Sequence, residues 1–205
     1  MRGSVKIATG PTFEKAADVV VRVWEEAGKP KLPRFEGFDG VGKSGLAKLV
    51  APRIGAHHVE GDKFAFRPDA PKPYWECLRR DEFDAAISAA VATGKPVILD
   101  AVCLDKVAPG SRWGPGFVVY VKRLSFNSPD PMWHDGFHLE DEEEDSSSDE
   151  PHRGIFQYHR VFKPHLRADL IIEFPDIGHT IYSFNFDRER CFDPPESEII
   201  PYRDE

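Results

Sequence analysis

The 205-residue sequence has no apolar run near the roughly 18 residues that a membrane-spanning helix needs. Its first nine residues carry no apolar stretch of the kind found in a secretory leader, so a cytoplasmic protein is expected. Cysteine is scarce: Cys77, Cys103 and Cys191 stand far apart with no C-x-x-C pair. That excludes a disulfide framework and a zinc ribbon, and points to reduced thiols. There is no internal repeat, which excludes a solenoid. There is no N-K-x-D motif for reading guanine.

A basic surplus is also missing, since the formal net charge is −8. The excess is local. The run Glu140–Glu150 (EDEEEDSSSDE) holds eight acidic residues and no basic one, and the rest of the chain balances to zero. Neither part offers a basic surface for nucleic acid. A membrane partner is not expected either. Residues 127–152, with three prolines, Trp133, three histidines and the acidic run, are expected to form a long surface loop, disordered in its acidic part. This loop could dock a protein partner. Its deletion is expected to leave folding intact.

What is present is one informative stretch. Gly37-Phe38-Asp39-Gly40-Val41-Gly42-Lys43-Ser44 fits G-x-x-x-x-G-K-[ST], a loop whose backbone N–H groups cradle phosphate. The glycines allow positive φ and close approach. The helix that begins near Lys43 brings the positive end of its dipole. Lys43 supplies a full charge, and Ser44 a hydroxyl suited to Mg²⁺. Gly45 continues the turn. A plain glycine turn would require neither Lys43 nor Ser44.

The surroundings fit. Thr12–Gly28 reads as an amphipathic helix, with Phe13, Ala16, Ala17, Val20, Val23, Trp24 and Ala27 on one face. Pro33–Phe38 reads as extended and Ser44–Ala51 as helical. Short apolar runs at 56–59, 96–100, 117–121 and 170–174 read as buried strands. Another strand is expected over Thr180–Phe186, and a helix over Asp81–Thr93, capped by Asp81. Strands alternating with helices imply a mainly parallel sheet, hence an α/β fold in one domain over residues 1–205.

In such a sheet the ligand lies beyond the carboxyl ends of the strands. Asp39, Asp62 and Asp100 fall at such ends. Asp100 is placed to hold Mg²⁺, and Asp62 to take the proton of a phosphoryl acceptor, with Glu60 as rival. Arg153, Arg160, Lys163 and Arg167 are candidates to neutralise the transferring group. Arg153, Arg160 and Arg167 would share one face of a helix. Arg67, Tyr74 and Trp75 could line the acceptor pocket. His57 and His58 read as structural.

These residues add up to a resemblance. Gly37–Ser44 resembles the G-x-D-G-x-G-K-[ST] loop of small-molecule and nucleoside kinases, and the helix before it is similar to one in uridine kinase-like proteins. Val59–Phe64 resembles that family's strand followed by Asp-x-Phe. Gly94–Asp100 resembles its strand ending in an acidic Mg²⁺ residue. Gln157-Tyr158-His159 to Pro164, followed by Arg167-Ala168-Asp169-Leu170-Ile171-Ile172, resembles the approach to its late strand. Val59-Glu60-Gly61-Asp62 is also similar to gluconate kinase-like proteins. The resemblance implies a P-loop NTPase three-layer sandwich with helices on both faces of the sheet. It implies ATP and Mg²⁺ as cofactors and a small-molecule hydroxyl as acceptor, a nucleoside first and a sugar acid second. The chain departs from the family after Val121, where an arginine-rich lid would stand, and between Arg67 and Asp81, where a long hairpin would hold a base. Those departures keep a second reading open, a nucleotide-binding switch with weak or no transferase activity.

Overall fold

The computed structural model describes residues 6–9, 12–66, 68, 70–114, 116–125, 150, 152–176 and 199–201. The strands are β1 (Lys6–Thr9), β2 (Pro33–Glu36), β3 (His57–Glu60), β4 (Val97–Asp100), β5 (Phe117–Ser125), β6 (Leu170–Asp176) and β7 (Ile199–Pro201). The helices are α1 (Phe13–Glu26), α2 (Lys43–Ile54), α3 (Arg80–Ala92), α4 (Leu104–Val107), α5 (Gly110–Trp113) and α6 (His152–Phe162). They form one α/β sheet in the order β3-β4-β2-β5-β6-β1-β7. The five strands β3-β4-β2-β5-β6 are all parallel; β1 joins β6 in parallel and β7 closes the edge antiparallel. No helix among the described residues is long and apolar enough to cross a membrane.

Every residue of β2 and of β4 is buried. A strand alternates its side chains between two faces, so both faces of the sheet are covered there. The chain runs from β2 outward to β3, back to β4, then across β2 to β5. The order therefore switches direction at β2, and the crevice at such a switch is where an open parallel sheet takes its ligand.

α1 forms as the periodicity predicts. Thr12 caps it by accepting the Lys15 N–H, and Ala16, Ala17, Val20, Val23 and Trp24 are buried. The Trp24 indole N–H donates to Pro30 O at 2.8 Å, so the ring is buried without losing its polar partner. α1 packs along α2, where Arg53 reaches back to Glu14 and Asp18.

Some expectations need correction. Asp81 does not cap α3; that position is Arg79, which makes no side-chain cap bond, and Asp81 lies in the first turn, where its charge suits the helix dipole. β1 and β7 were not legible, because three or four residues give too little alternation to stand out. Arg167 does not share a helix face with Arg153 and Arg160: α6 stops at Phe162 and Arg167 closes a 3₁₀ turn, Pro164–Arg167. Thr180–Phe186, Cys191, Arg67 and the acidic run up to Asp149 lie outside the described residues.

The last residue of that run does belong to the fold. Glu150 is largely buried and takes the Gly154 N–H at 3.1 Å, one of the first-turn amides of α6 that have no partner within the helix. It also holds Arg153 at 3.2 Å. A deletion of residues 140–149 should therefore leave the melting temperature unchanged or higher, because it removes only like charge. Glu150→Ala should lower stability by about 1 kcal/mol through the lost cap. Thermal denaturation of the two variants checks both, and a large loss on the deletion would refute the first.

Candidate functional site

The loop Gly37–Ser44 leaves the carboxyl end of β2 and enters α2. Two of its glycines are required by contact as well as by backbone. Gly37 has φ +144°, and a Cβ there would stand 2.3 Å from Val121 O on β5. Gly42, at φ +100°, starts α2 in the left-handed region. A Cβ on it would meet Phe13 Cζ at 2.7 Å. Phe13 in turn stacks on Phe174, with ring centroids 4.4 Å apart. The helix before the loop thus presses on the loop itself.

Lys43 opens α2 and is buried. Its ammonium donates to Phe38 O at 2.5 Å, inside the loop, where it stands in the place a phosphate oxygen would contest. Ser44 and Gly45 follow in the first turn and are partly buried. Arg123, at the end of β5, donates from Nη1 to Gly40 O at 3.3 Å. Among the described arginines, the one that reaches the loop is Arg123. Arg153 is exposed and tied to Glu150, and Arg160 is exposed on α6.

The acidic residues gather at neighbouring strand ends. Asp100 closes β4 and is buried, with its Oδ2 3.2 Å from His58 Nε2 on β3. Glu60 is its register partner, but it is held by Lys48 at 3.4 Å and Lys63 at 3.3 Å. Asp62 follows in the 3₁₀ turn Gly61–Phe64. Gly61 brings that turn against Ala101, where a Cβ would come within 2.6 Å of the Ala101 Cβ. The Tyr74 hydroxyl donates to Asp62 Oδ1 at 2.6 Å. Burial first, then the Asp62 charge and hydrogen bond, push the Tyr74 phenol far above its ordinary range. Trp75, the next residue, is partly exposed, with Lys106 Nζ 5.3 Å from its ring centre.

Cys103, just ahead of α4, is fully buried at φ +57°. Burial raises its thiol well above the usual range; Glu36 and Asp39 add to the rise, and Lys43 and Lys106 oppose it. Cys77 is likewise buried and raised by desolvation.

Two features escaped the sequence reading. The first is α6, which lies on the loop. Its Phe156 and His159 rings meet Phe38 at 5.0 and 5.8 Å, and His152 Nε2 pairs with Asp39 Oδ2 at 3.3 Å. The second is Glu36, the last residue of β2. It is buried, accepts the Tyr158 hydroxyl from α6, and accepts the Leu104 N–H at 3.1 Å. Burial pushes its carboxyl up to about 7; Asp105 adds to this, while the Tyr158 hydrogen bond and Arg34 oppose it. Arg34, two residues earlier on the same face, pairs with Asp105 at 3.3 Å, and Arg167 takes the other Asp105 oxygen at 2.5 Å. The only sequence signal was the alternation Arg34-Phe35-Glu36, which reads as a half-exposed strand. His159 is wholly buried, with Nδ1 2.9 Å from Tyr120 Oη. Burial, together with Lys43, His165 and Lys122, pushes it down to about 3.

Among the described residues no group of three or more His, Cys, Asp or Glu could hold a metal ion. No model of a known protein family matches the chain, and no curated protein sequence matches it.

Glu36 and His159 make opposite contributions to stability. Glu36 rises from 4.5 to about 7 on folding, so its contribution is full below pH 4.5 and is lost as pH rises through 7. His159 falls from 6.5 to about 3, so its contribution is full above pH 6.5 and is lost as pH falls toward 3. Glu36→Gln should therefore gain stability relative to the parent as pH rises across the first window. His159→Phe should gain relative to the parent as pH falls across the second. Each difference should reach on the order of 1–3 kcal/mol. Urea denaturation at several pH values reads both, and curves parallel to the parent would refute the assignment.

Proposed function

We propose that this chain is an ATP-dependent phosphotransferase of the P-loop kinase type, moving the γ-phosphoryl group of ATP to a hydroxyl of a small metabolite. The observation that carries the reading is the loop at the carboxyl end of the central strand. A left-handed Gly42 there opens α2, the Lys43 ammonium is buried within the loop, and two further carboxylates stand at the end of β4 and two residues beyond β3. A glycine cradle, a helix start and a buried lysine are together a phosphate site.

The residues fit the two cofactors. Gly37, Asp39, Gly40, Val41, Gly42, Lys43, Ser44 and Gly45 would hold the nucleotide phosphates, with Lys43 exchanging Phe38 O for a phosphate oxygen. Ser44 and Asp100 would hold Mg²⁺. Two protein oxygens suit an ion that arrives on phosphate and keeps its waters. Asp39 Oδ1, buried without a hydrogen-bond partner among the described residues, is an acceptor open to a donor carried by that ion or nucleotide. The ion, when bound, draws charge from the transferring group. Asp62 would take the acceptor's proton, and Arg123 would add positive charge beside the loop. Trp75, which follows Tyr74 in the chain and is partly exposed, is the aromatic residue that would meet a nucleoside base; a sugar acid is the second acceptor class. In three-layer sandwiches of this type helices cover both faces, as burial of β2 and β4 requires.

Lys43→Ala should weaken ATP binding by about 1.5–3 kcal/mol in calorimetry, and unchanged affinity would remove the reading. Asp62→Asn should leave ATP affinity nearly unchanged and lower acceptor-dependent ADP release by ~10²–10⁴-fold over a panel of nucleosides and sugar acids. A nucleotide-binding switch would show no acceptor dependence in the parent protein.

A further inference from the structure

We infer that Tyr74 is the residue that orients Asp62 for proton abstraction, a positioning residue and not part of the acceptor pocket wall; this rests on the phosphotransfer reading. The case starts from direction. A phenol O–H donates and a carboxylate accepts, so the 2.6 Å contact fixes Asp62 Oδ1 as the bound oxygen. Asp62 itself is exposed, and its second oxygen, Oδ2, is left to face an acceptor. The Tyr74 ring is only 8% exposed. It is therefore set by packing, and its hydroxyl cannot follow a wandering carboxylate.

The backbone beneath both residues is also held. Asp62 and Tyr74 lie in two 3₁₀ turns joined by a loop, and that loop is closed at its base. Phe66 N donates to Cys77 O at 2.8 Å, Arg79 N donates to Phe64 O at 2.9 Å, and Ala65 bridges Leu78. The Arg79 guanidinium then donates to Lys63 O at 2.9 Å and Ala65 O at 3.3 Å, within and just after the turn. An aspartate in an exposed turn would ordinarily sample several rotamers. Here one oxygen is bound by the Tyr74 hydroxyl and the turn's backbone is held by Arg79. A base needs this, because a displaced carboxylate loses the near-attack geometry on which its rate depends.

Two measurements test the inference. The first needs no activity. In Asp62→Ala the phenol loses its acceptor, so at neutral pH the Tyr74 side-chain carbon resonance should move from its position in the parent protein. An unmoved resonance overturns the contact. The second is a double-mutant cycle on acceptor-dependent turnover. Tyr74→Phe keeps the ring and should lower kcat by roughly ten- to a hundredfold with the KM for ATP unchanged. The same change in the Asp62→Ala background should lower it no further. An equal loss in both backgrounds would mark Tyr74 as a general structural residue and sink the inference. Should no acceptor support turnover in the parent protein, the phosphotransfer reading falls and the positioning role falls with it, while the resonance shift still reports on the hydrogen bond.

Discussion

Burial of β2 on both faces is the constraint from which the rest follows. A central strand with Phe35 on one side and Arg34 and Glu36 on the other must satisfy two ionisable groups away from water. The fold meets this with partners drawn from distant parts of the chain: Asp105 for Arg34, then the Leu104 N–H and the Tyr158 hydroxyl for Glu36. Those partners fix α4 and α6 against the strand that delivers the phosphate loop. Removing one partner would leave a buried group unsatisfied, which is worse than never having placed it there.

The same arrangement seats α6 on the loop. Phe156, His159 and His152 reach Phe38 and Asp39, while Phe13 of α1 presses on Gly42 from another direction. The loop is therefore gripped through its side chains and through the bare face of a glycine. Positive charge stands at the loop in Lys43 and Arg123, while Asp100 closes β4 and Asp62 lies two residues beyond β3.

Much of this was legible in the sequence because it depends on local chemistry. The loop is written in contiguous residues whose backbone needs are specific to glycine. The amphipathic face of α1 repeats over four turns. The runs 96–100, 117–121 and 170–174 are largely apolar and read as strands. Asp100 could be named because it ends a strand and Asp62 because it follows one closely, and parallel strands align their ends. The helix cap at Asp81 was misread because a capping residue type in the first turn looks the same in sequence as one a residue or two earlier.

What tertiary structure alone decided are relations between distant residues. Sequence could place Arg34 and Glu36 on one face of a strand, but it could not say that this face is buried, since that depends on which helix covers it. It could put tyrosines at 74 and 158, yet their hydroxyls act on Asp62 and Glu36, 12 and 122 positions away, and no local spacing encodes such a pair. The arginine that reaches the loop is Arg123, at the end of β5, because β5 lies beside β2 in the sheet. Local propensity and pattern determine which elements form and which residues end them. Strand order and helix seating determine which of those residues meet, because both follow from burying the whole apolar surface at once.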